Sequence, residues 1–250
     1  MTVYARKMRR SIVGNPGPEL LLDIDDVNAL SAMETAKSLS LAVLYTYGAD
    51  VEGDIAEFGT MSGSTAQALA TAMLAAERWV GPSFKRLHLF DSFEGFPEIN
   101  AQVDMSSPHV QKGVWARGTC KFLSFEELKR VVERVLPARR VEMHEGWFAD
   151  TVNVLPNNTR FSLIHFDGDL YQSMIDALDP CFAKGFVSEG AMICFDDWNC
   201  NRASNKYGER RAWEELVSKY KIQFSMSGDY SWGCTKVIVH AYSSAIGSSS

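Results

Sequence analysis

Two patterns of apolar and polar residues alternate along this chain. Short runs of mostly apolar, β-branched and aromatic residues predict buried strands, and longer segments with apolar residues three or four positions apart predict helices. Strands are predicted at residues 54–58, 86–90, 140–144, 162–166, 191–195, 221–226 and 235–240. Helices are predicted between them at residues 64–78, 125–135, 172–182 and 210–220.

The alternation of strands and helices predicts an α/β fold in a single domain. We expect a Rossmann-like core over residues 51–241, with a seven-stranded, mostly parallel sheet covered by helices on both faces. The last two strands have no helix between them, so they are expected to close the sheet as an antiparallel pair. Residues 1–50 are predicted to form a polar arm and an N-terminal helical cap, and residues 242–250 a flexible tail.

One long connection interrupts the pattern. Residues 92–121 show no clear periodicity, and loops of this length inside a compact domain usually cover a site or are disordered. We predict that this segment is a lid over the substrate. The helix after it has a visible start, because Ser124 is followed three positions later by Glu127, which is the pattern of a capping box.

Charge and composition exclude several classes of function. The net charge is −6 and the pI about 5.4, whereas a protein that binds the phosphate backbone of nucleic acids needs clustered Lys and Arg. No apolar run approaches the roughly 18–20 residues that a membrane span requires. The five cysteines show no Cys-x-x-Cys spacing, which favours a reduced chain over a disulfide framework. We therefore expect a cytoplasmic protein that acts on a small molecule, with neither nucleic acid nor membrane as partner.

Acidic residues gather where two of the predicted strands end. Asp167 and Asp169 follow one strand in HFDGDLY, and the adjacent pair Asp196 and Asp197 follows another in CFDDW. Ends of parallel strands share one edge of a sheet, so these carboxylates should lie close together and raise each other's pKa unless a cation neutralises them. Oxygen ligands without Cys or His favour Mg²⁺. Both members of the adjacent pair can reach one ion only if the chain turns there, and we predict that it turns.

A glycine motif follows the first predicted strand. It consists of Glu57 and Gly59 followed by Gly63, and it lacks both the Gly-x-Gly-x-x-Gly spacing of a dinucleotide site and the Lys of a phosphate-binding loop. Glycines at this position let the backbone approach a ligand closely. Asp91 ends the second strand, where a carboxylate can accept both hydroxyls of a ribose. The two features together predict a nucleoside-bearing cosubstrate without a pyrophosphate.

Five motifs occur in the order DIAEFGTMSGS, LFDSFEGFPE, EGWFADT, HFDGDLYQS and ICFDDW over residues 52–213, each at a strand end. On these motifs the chain resembles the macrocin O-methyltransferase family of class I S-adenosylmethionine-dependent enzymes, which methylate sugar hydroxyls of macrolides and other natural products. The resemblance implies the class I methyltransferase fold, S-adenosyl-L-methionine as cosubstrate and Mg²⁺ as metal. It also implies a glycosylated natural product, a sugar or a similar polyhydroxylated molecule as acceptor, and a homo-oligomer.

The resemblance gives roles to individual residues. Seven would bind the cosubstrate: Glu57 and Gly59 at its methionine end, Asp91 at its ribose, Gly146 and Trp147 around its adenine, and Ser64 and Ser92 within the first two motifs. Three would hold Mg²⁺: Asp167, Asp196 and Asp197. Asp169 would be the general base that takes the proton from the acceptor hydroxyl. His109, which lies in the predicted lid, is our second candidate for this base.

Three other functions stay open on the residues alone. A metal-dependent hydrolase could use the same acidic residues with an activated water, although it would not need the glycine motif or Asp91. A nicotinamide dehydrogenase shares the sheet architecture, but its glycine fingerprint is missing. A protein that binds the cosubstrate without turnover would carry the same cosubstrate residues. The sequence does not identify the acceptor or the hydroxyl that is methylated.

Overall fold

The computed structural model describes residues 24–244, so the predicted polar arm, residues 1–22, and the end of the predicted tail lie outside the described residues. The strands are β1 Asp54–Phe58, β2 Leu87–Asp91, β3 Val141–Glu145, β4 Phe161–Phe166, β5 Val187–Phe195, β6 Gln223–Tyr230 and β7 Cys234–Ala241. The helices are α1 Ile24–Gly48, α2 Ser64–Val80, α3 Gln102–Met105, α4 Pro108–Gln111, α5 Phe125–Glu133, α6 Phe148–Thr151, α7 Tyr171–Ala183, α8 Cys200–Ala203 and α9 Gly208–Tyr220, with a 3₁₀ turn at Ala138–Arg140. Every predicted strand and helix is present.

The sheet has the order β3-β2-β1-β4-β5-β7-β6. The first five strands run parallel, and β7 runs antiparallel to both β5 and β6. The prediction of a mostly parallel, seven-stranded sheet closed by an antiparallel pair is therefore confirmed. The strand order reverses between β1 and β4, and in such sheets ligands bind beyond the carboxyl ends of the strands at this point.

The strand β6 is longer than the sequence predicts. We expected it to end at residue 226, but it continues to Tyr230 through Gly228, whose φ is +106°. The register against β7 shifts between Met226 and Gly228. Residues 227–229 are polar or glycine, so they lack the alternation of apolar and polar residues from which a strand is predicted. Pairing with β7, which is a tertiary contact, decides where this strand ends.

Helices cover both faces of the sheet. Three of them, α1, α2 and α5, pack on one face through Leu39, Leu69 and Leu128, which are fully buried. The helices α7 and α9 pack on the other face through Leu178 and Trp213. This packing holds the carboxyl ends of the central strands in place. No helix among residues 24–244 is long and apolar enough to cross a membrane.

The segment 92–121 is folded onto the domain and contains the short helices α3 and α4. Its Phe96 and Trp115 are buried in a small apolar cluster. The carboxylate of Asp104 is buried as well and accepts the first two backbone N–H groups of α7, at 2.8 and 3.0 Å, so this segment caps α7. Helices of four residues are too short to give a periodicity that can be recognised in a sequence. The next helix, α5, begins at Ser124 with the predicted capping box.

Candidate functional site

The loop after β1 is pressed against the loop after β4. Gly59 has a φ of +86°, and a Cβ atom at this position would overlap the backbone oxygen of Asp167. Glycine alone combines this backbone conformation with such a close approach. The backbone N–H of Asp167 donates to the carbonyl of Phe58 at 2.9 Å, which continues the pairing of β1 and β4 into the loops. Gly59 thus joins the two strands between which the sheet order reverses.

A cavity opens beside these loops. It encloses about 820 Å³, a volume that includes space open to solvent. Seven of the predicted site residues line it: Gly59, Asp91, Ser92, Gly146, Trp147, Asp167 and Asp169. Phe96, Pro97 and Cys120 border the cavity from the segment 92–121. This is the position that a lid would take.

Asp91 ends β2 and orders the glycine loop. Its Oδ2 accepts hydrogen bonds from the backbone N–H and the hydroxyl of Thr60, at 2.8 and 2.9 Å, and from the backbone N–H of Met61 at 3.3 Å. Its Oδ1 accepts the backbone N–H of Phe93 at 2.7 Å. We expected this carboxylate to face a ribose. In the structure this carboxylate holds the glycine loop in place. Its Oδ1 has only one donor and can accept one more hydrogen bond.

Acidic residues after β4 and β5 converge. One carboxylate oxygen from each of Asp167, Asp169 and Asp197 lies within 4.8 Å of the other two, and we call these three residues the acidic group. The chain leaves β5 after Phe195 and turns at residues 196–197, as the sequence predicts. Asp169 has a φ of +57°, a left-handed conformation that is uncommon for residues other than glycine and is concentrated at functional sites.

The carboxyl groups of the acidic group repel one another. Burial and the charges of Asp196 and Asp197 raise the pKa of Asp167 well above its usual range. Burial and the charges of Asp197 and Asp167 do the same for the pKa of Asp169. The pKa of Asp197 is raised by burial and by Asp196. A hard divalent cation would favour the charged forms, so these three oxygen donors suit a metal such as Mg²⁺.

Asp196 lies outside the acidic group. Its Oδ1 is 3.7 Å from Nε2 of His165 and accepts a hydrogen bond from the thiol of Cys234 at 3.2 Å. Burial raises the pKa of Asp196, but the neighbouring His165 outweighs burial and holds this pKa below its usual range. We expected all four carboxylates to lie together, with Asp169 as the base beside the three metal ligands. The structure brings Asp169 together with Asp167 and Asp197, and Asp196 lies against His165 instead. The turn after β5 is the reason, because it directs the two adjacent side chains to different neighbours.

Glu57 is fully buried below the cavity, and its Oε1 is 2.9 Å from Nδ1 of His165, its register partner on β4. His165 therefore lies between Glu57 and Asp196. Burial lowers the pKa of His165, but the two carboxylates outweigh burial and raise this pKa to about 10, so the ring is protonated at neutral pH. Glu57, which we expected at the methionine end of the cosubstrate, is not on the cavity wall. Ser64 is not on it either, and its hydroxyl lies 3.1 Å from that of Ser62.

His109 lies in α4 and is held from two sides. Its ring stacks on that of Trp115 with 4.6 Å between the ring centres, and its Nδ1 is 2.7 Å from Oδ1 of Asn201. Asn201 is buried and has a left-handed φ of +54°, and the two residues after it are left-handed as well. The loop after β5 thus positions His109 near the acidic group without placing it on the cavity wall.

One carboxylate beneath the acidic group is absent from the sequence prediction. Glu209, in the first turn of α9, is buried, and its Oε2 accepts the backbone N–H of Asp197 at 3.1 Å. Its Oε1 is buried without a hydrogen-bond partner among the described residues. Burial and the charges of Asp197, Asp196 and Asp167 raise the pKa of Glu209 well above its usual range. In the sequence Glu209 is an ordinary acidic residue at a helix start, so no pattern singles it out.

Comparison with known proteins identifies relatives of this chain. Residues 33–226 match the family Macrocin-O-methyltransferase (TylF). The chain is 32% identical over 177 residues to the 8-demethyl-8-(2,3-dimethoxy-alpha-L-rhamnosyl)-tetracenomycin-C 4'-O-methyltransferase of Streptomyces olivaceus. That match covers 68% of this chain and 63% of the relative, which is less than two thirds of the relative's length. The chain is also 27% identical over 191 residues to the demethyldecarbamoylnovobiocin O-methyltransferase of Streptomyces niveus, over 76% of this chain and 69% of the relative.

Solved structures share the architecture. The O-methyltransferase NovP aligns with a TM-score of 0.68 at 21% sequence identity, over 82% of this chain and 79% of that chain. The calicheamicin methyltransferase CalS11 aligns with a TM-score of 0.63 at 23% identity, over 87% of this chain and 80% of that chain. These alignments confirm the predicted class I methyltransferase fold. Because the family match spans residues 33–226, the chain belongs to the macrocin O-methyltransferase family of S-adenosylmethionine-dependent O-methyltransferases.

Proposed function

We propose that this chain transfers the methyl group of S-adenosylmethionine to a sugar hydroxyl of a glycosylated natural product. Family membership supports methyl transfer to oxygen. One relative is named for the 4'-O-methylation of a rhamnosyl tetracenomycin and another for the O-methylation of demethyldecarbamoylnovobiocin, which supports an acceptor of this class. The observation that carries the proposal is the position of the acidic group beside a cavity lined by Gly59 and Asp91.

The cosubstrate would lie along the side of the cavity that is formed after β1, β2 and β3. Gly59 would lie near its methionine end, and Oδ1 of Asp91 would accept a ribose hydroxyl. Gly146 and the exposed ring of Trp147 would border the adenine, for which an aromatic ring is a suitable wall. Glu57 is buried, so it would support the site from below rather than touch the cosubstrate.

The acidic group would hold Mg²⁺. The three carboxylates converge, are partly shielded from water and have raised pKa values, all of which fit a hard cation with oxygen ligands. When bound, the ion would lower the pKa of the acceptor hydroxyl and fix its orientation. Asp196 would contribute indirectly, through its ion pair with the protonated His165 below the site.

Asp169 would accept the proton of the acceptor hydroxyl. It lines the cavity and belongs to the acidic group, and the bound cation would keep its carboxylate ionised and therefore able to take a proton. As the proton moves to Asp169, the hydroxyl oxygen bonds to the methyl carbon, the bond from that carbon to sulfur breaks, and S-adenosylhomocysteine leaves. His109 is the second candidate, and it ranks behind Asp169 because Asn201 and Trp115 hold it away from the cavity wall.

Incubation of the chain with S-adenosylmethionine, Mg²⁺ and a panel of glycosylated natural products tests the proposal. We expect S-adenosylhomocysteine and a product that is heavier by one methyl group, loss of both after treatment with EDTA, and recovery when Mg²⁺ is added. S-adenosylhomocysteine should also raise the melting temperature, because it binds the folded chain. The hydrolase alternative predicts no such stabilisation. A chain that neither binds S-adenosylhomocysteine nor consumes S-adenosylmethionine with any acceptor would show the proposal to be wrong.

A further inference from the structure

Two polar side chains of α7 reach the cavity at the end where the adenine would lie. Ser173 and Asp176 are three residues apart, so they lie on the same side of the helix, and both line the cavity together with Gly146 and Trp147. Asp176 also borders an outer depression that adjoins this end of the cavity and is lined by Trp147 and Asp150. Neither Ser173 nor Asp176 belongs to the acidic group, and neither has a role in the mechanism described above.

The two side chains offer different hydrogen-bonding groups to the cavity, an acceptor on Asp176 and a hydroxyl on Ser173. Nε2 of Gln172 donates to Oδ1 of Asp176 at 2.8 Å, which fixes the carboxylate and directs its Oδ2 to other donors. Ser173 is 9% exposed, and its hydroxyl can rotate to donate or to accept. Burial and the charge of Asp150 raise the pKa of Asp176, so a donor placed against Oδ2 would stabilise its charged form.

We propose that Asp176 and Ser173 recognise the Watson–Crick edge of the cosubstrate's adenine, Oδ2 of Asp176 accepting from the N6 amino group and the Ser173 hydroxyl donating to N1. This inference rests on the proposed function, because it requires an adenosyl cosubstrate in the cavity. Adenine presents a donor at N6 and an acceptor at N1, whereas hypoxanthine presents an acceptor at O6 and a donor at N1. A carboxylate has no proton to donate, so hypoxanthine would set O6 against Oδ2 with no hydrogen between them.

Isothermal titration calorimetry of the full chain with S-adenosylhomocysteine and with S-inosylhomocysteine tests the inference without turnover. The two ligands differ only on this edge of the purine. We expect the wild-type chain to bind the adenosyl ligand at least roughly tenfold more tightly, because a group built to accept a hydrogen bond rejects an analogue that lacks the donor.

Two variants sharpen the test. In Asp176→Asn, Nε2 of Gln172 should still donate to the side-chain oxygen at position 176, so the new amide N–H group should face the purine. The preference for the adenosyl over the inosyl ligand should then fall to near unity or reverse. Ser173→Ala should lower the affinity for the adenosyl ligand by about three- to tenfold, because the hydroxyl that donates to N1 is lost. Because Asp176→Asn is compared with itself on two ligands, a general loss of stability cannot imitate the change in its ratio.

Asp150→Asn is the matched control. It removes a negative charge near Asp176, but its side chain borders the outer depression and not the cavity, so the ratio of the two affinities should stay as in the wild type. Equal affinity of the wild-type chain for both ligands, or an unchanged ratio in Asp176→Asn, would overturn the inference and leave the proposed function intact. Failure of the wild-type chain to bind S-adenosylhomocysteine at all would instead refute the proposed function.

Discussion

The two sides of the cavity satisfy their carboxylates in different ways. On the β2 side, Asp91 accepts four hydrogen bonds from donors of the protein itself. On the side of β4 and β5, Asp167, Asp169 and Asp197 face one another, and burial together with their mutual charge raises their pKa values. Asp91 is thus stabilised by the protein itself, whereas the carboxyl groups of the acidic group are neutralised by bound protons or, as we propose, by a cation. The β2 side is therefore ordered without a ligand. The side of β4 and β5 would be completed by the bound ion that we propose.

A protein cation already lies below the acidic side, but it is used elsewhere. With a pKa of about 10, His165 is protonated at neutral pH, and its charge balances the buried Glu57 and the partly exposed Asp196. This pairing explains why Asp196 stays outside the acidic group. His165 is thus already paired, and a bound divalent cation would be needed to keep the three carboxylates above it ionised together.

The largest effect is expected when the acidic side loses a ligand. Asp167→Asn should bring methyl transfer below detection, since the metal and with it the alignment of the acceptor would be lost. The Kd of S-adenosylhomocysteine should stay within about threefold of the wild-type value, because the cosubstrate side is separate. Mass spectrometry of the product and calorimetry measure the two quantities.

Asp179→Asn is the control for this variant. Asp179 lies on α7 and forms a surface ion pair with Lys219 of α9, away from the cavity lining. It should leave both quantities unchanged. Wild-type turnover by Asp167→Asn, or equal loss of cosubstrate binding and turnover, would remove the distinction between the two sides.

A somewhat smaller effect is expected for the base. Asp169→Asn should lower the single-turnover rate at saturating cosubstrate by roughly 10²–10⁴-fold, which is typical of a lost general base. The affinity for Mg²⁺ must be measured in the same variant, because the structure places Asp169 in the acidic group. A wild-type rate would move the role to His109 or to solvent, and His109→Gln would then separate these two.

Variants of Glu209 test whether metal binding depends on the hydrogen bond that Glu209 accepts from the backbone N–H of Asp197. Glu209→Ala should weaken Mg²⁺ binding by roughly 10–100-fold, the usual effect of losing a group that orients a metal ligand, here through the backbone N–H of Asp197. Glu209→Gln keeps that acceptor and should stay within about threefold of the wild-type affinity. Equal affinities in all three chains would show that the acidic group does not need this support.

The two sides also differ in their histidines, which predicts a small dependence of stability on pH. On β3, burial and the neighbouring His88 lower the pKa of His144 from 6.5 to about 4, opposite to the shift of His165. Between these two values the unfolded chain binds more protons at this residue, so His144 makes the folded state less stable as the pH falls from 6.5 towards 4. The change should be on the order of 1 kcal/mol, because the ring is partly screened by solvent.

Urea unfolding at pH 7 and pH 4.5 measures this contribution. In His144→Gln the loss of unfolding free energy between the two pH values should be smaller than in the wild type. An identical loss in both chains would assign the pH dependence to other groups.

Much of the fold follows from local pattern. The strands and helices of the core alternate in hydrophobic spacing, and an alternating chain of this kind can bury its apolar residues only in a layered sheet. The convergence of Asp167, Asp169 and Asp197 follows in turn, because the ends of parallel strands share one edge. The same logic placed Gly59 and Asp91 on the cavity wall.

The residues that the sequence missed or misplaced depend on packing between distant segments. Glu209 and Asp176 come from helices, and only the way in which these helices lie on the sheet brings them to the site. Asp169 joins Asp167 and Asp197 while Asp196 turns to His165, because the turn after β5 and a left-handed residue after β4 set the direction of each side chain. Conformations of single residues of this kind leave no periodic signal.

We expect the acidic group to bind one divalent cation beside the cosubstrate cavity. Titration of Mn²⁺, a paramagnetic substitute for Mg²⁺, into the chain in the presence of S-adenosylhomocysteine, followed by electron paramagnetic resonance, tests it most directly. We expect one bound ion per chain, competition by Mg²⁺, loss of the site in Asp167→Asn and Asp197→Asn, and retention of the site in Asp91→Asn. No bound ion in the wild-type chain, or equal binding in wild type and Asp167→Asn, would contradict it.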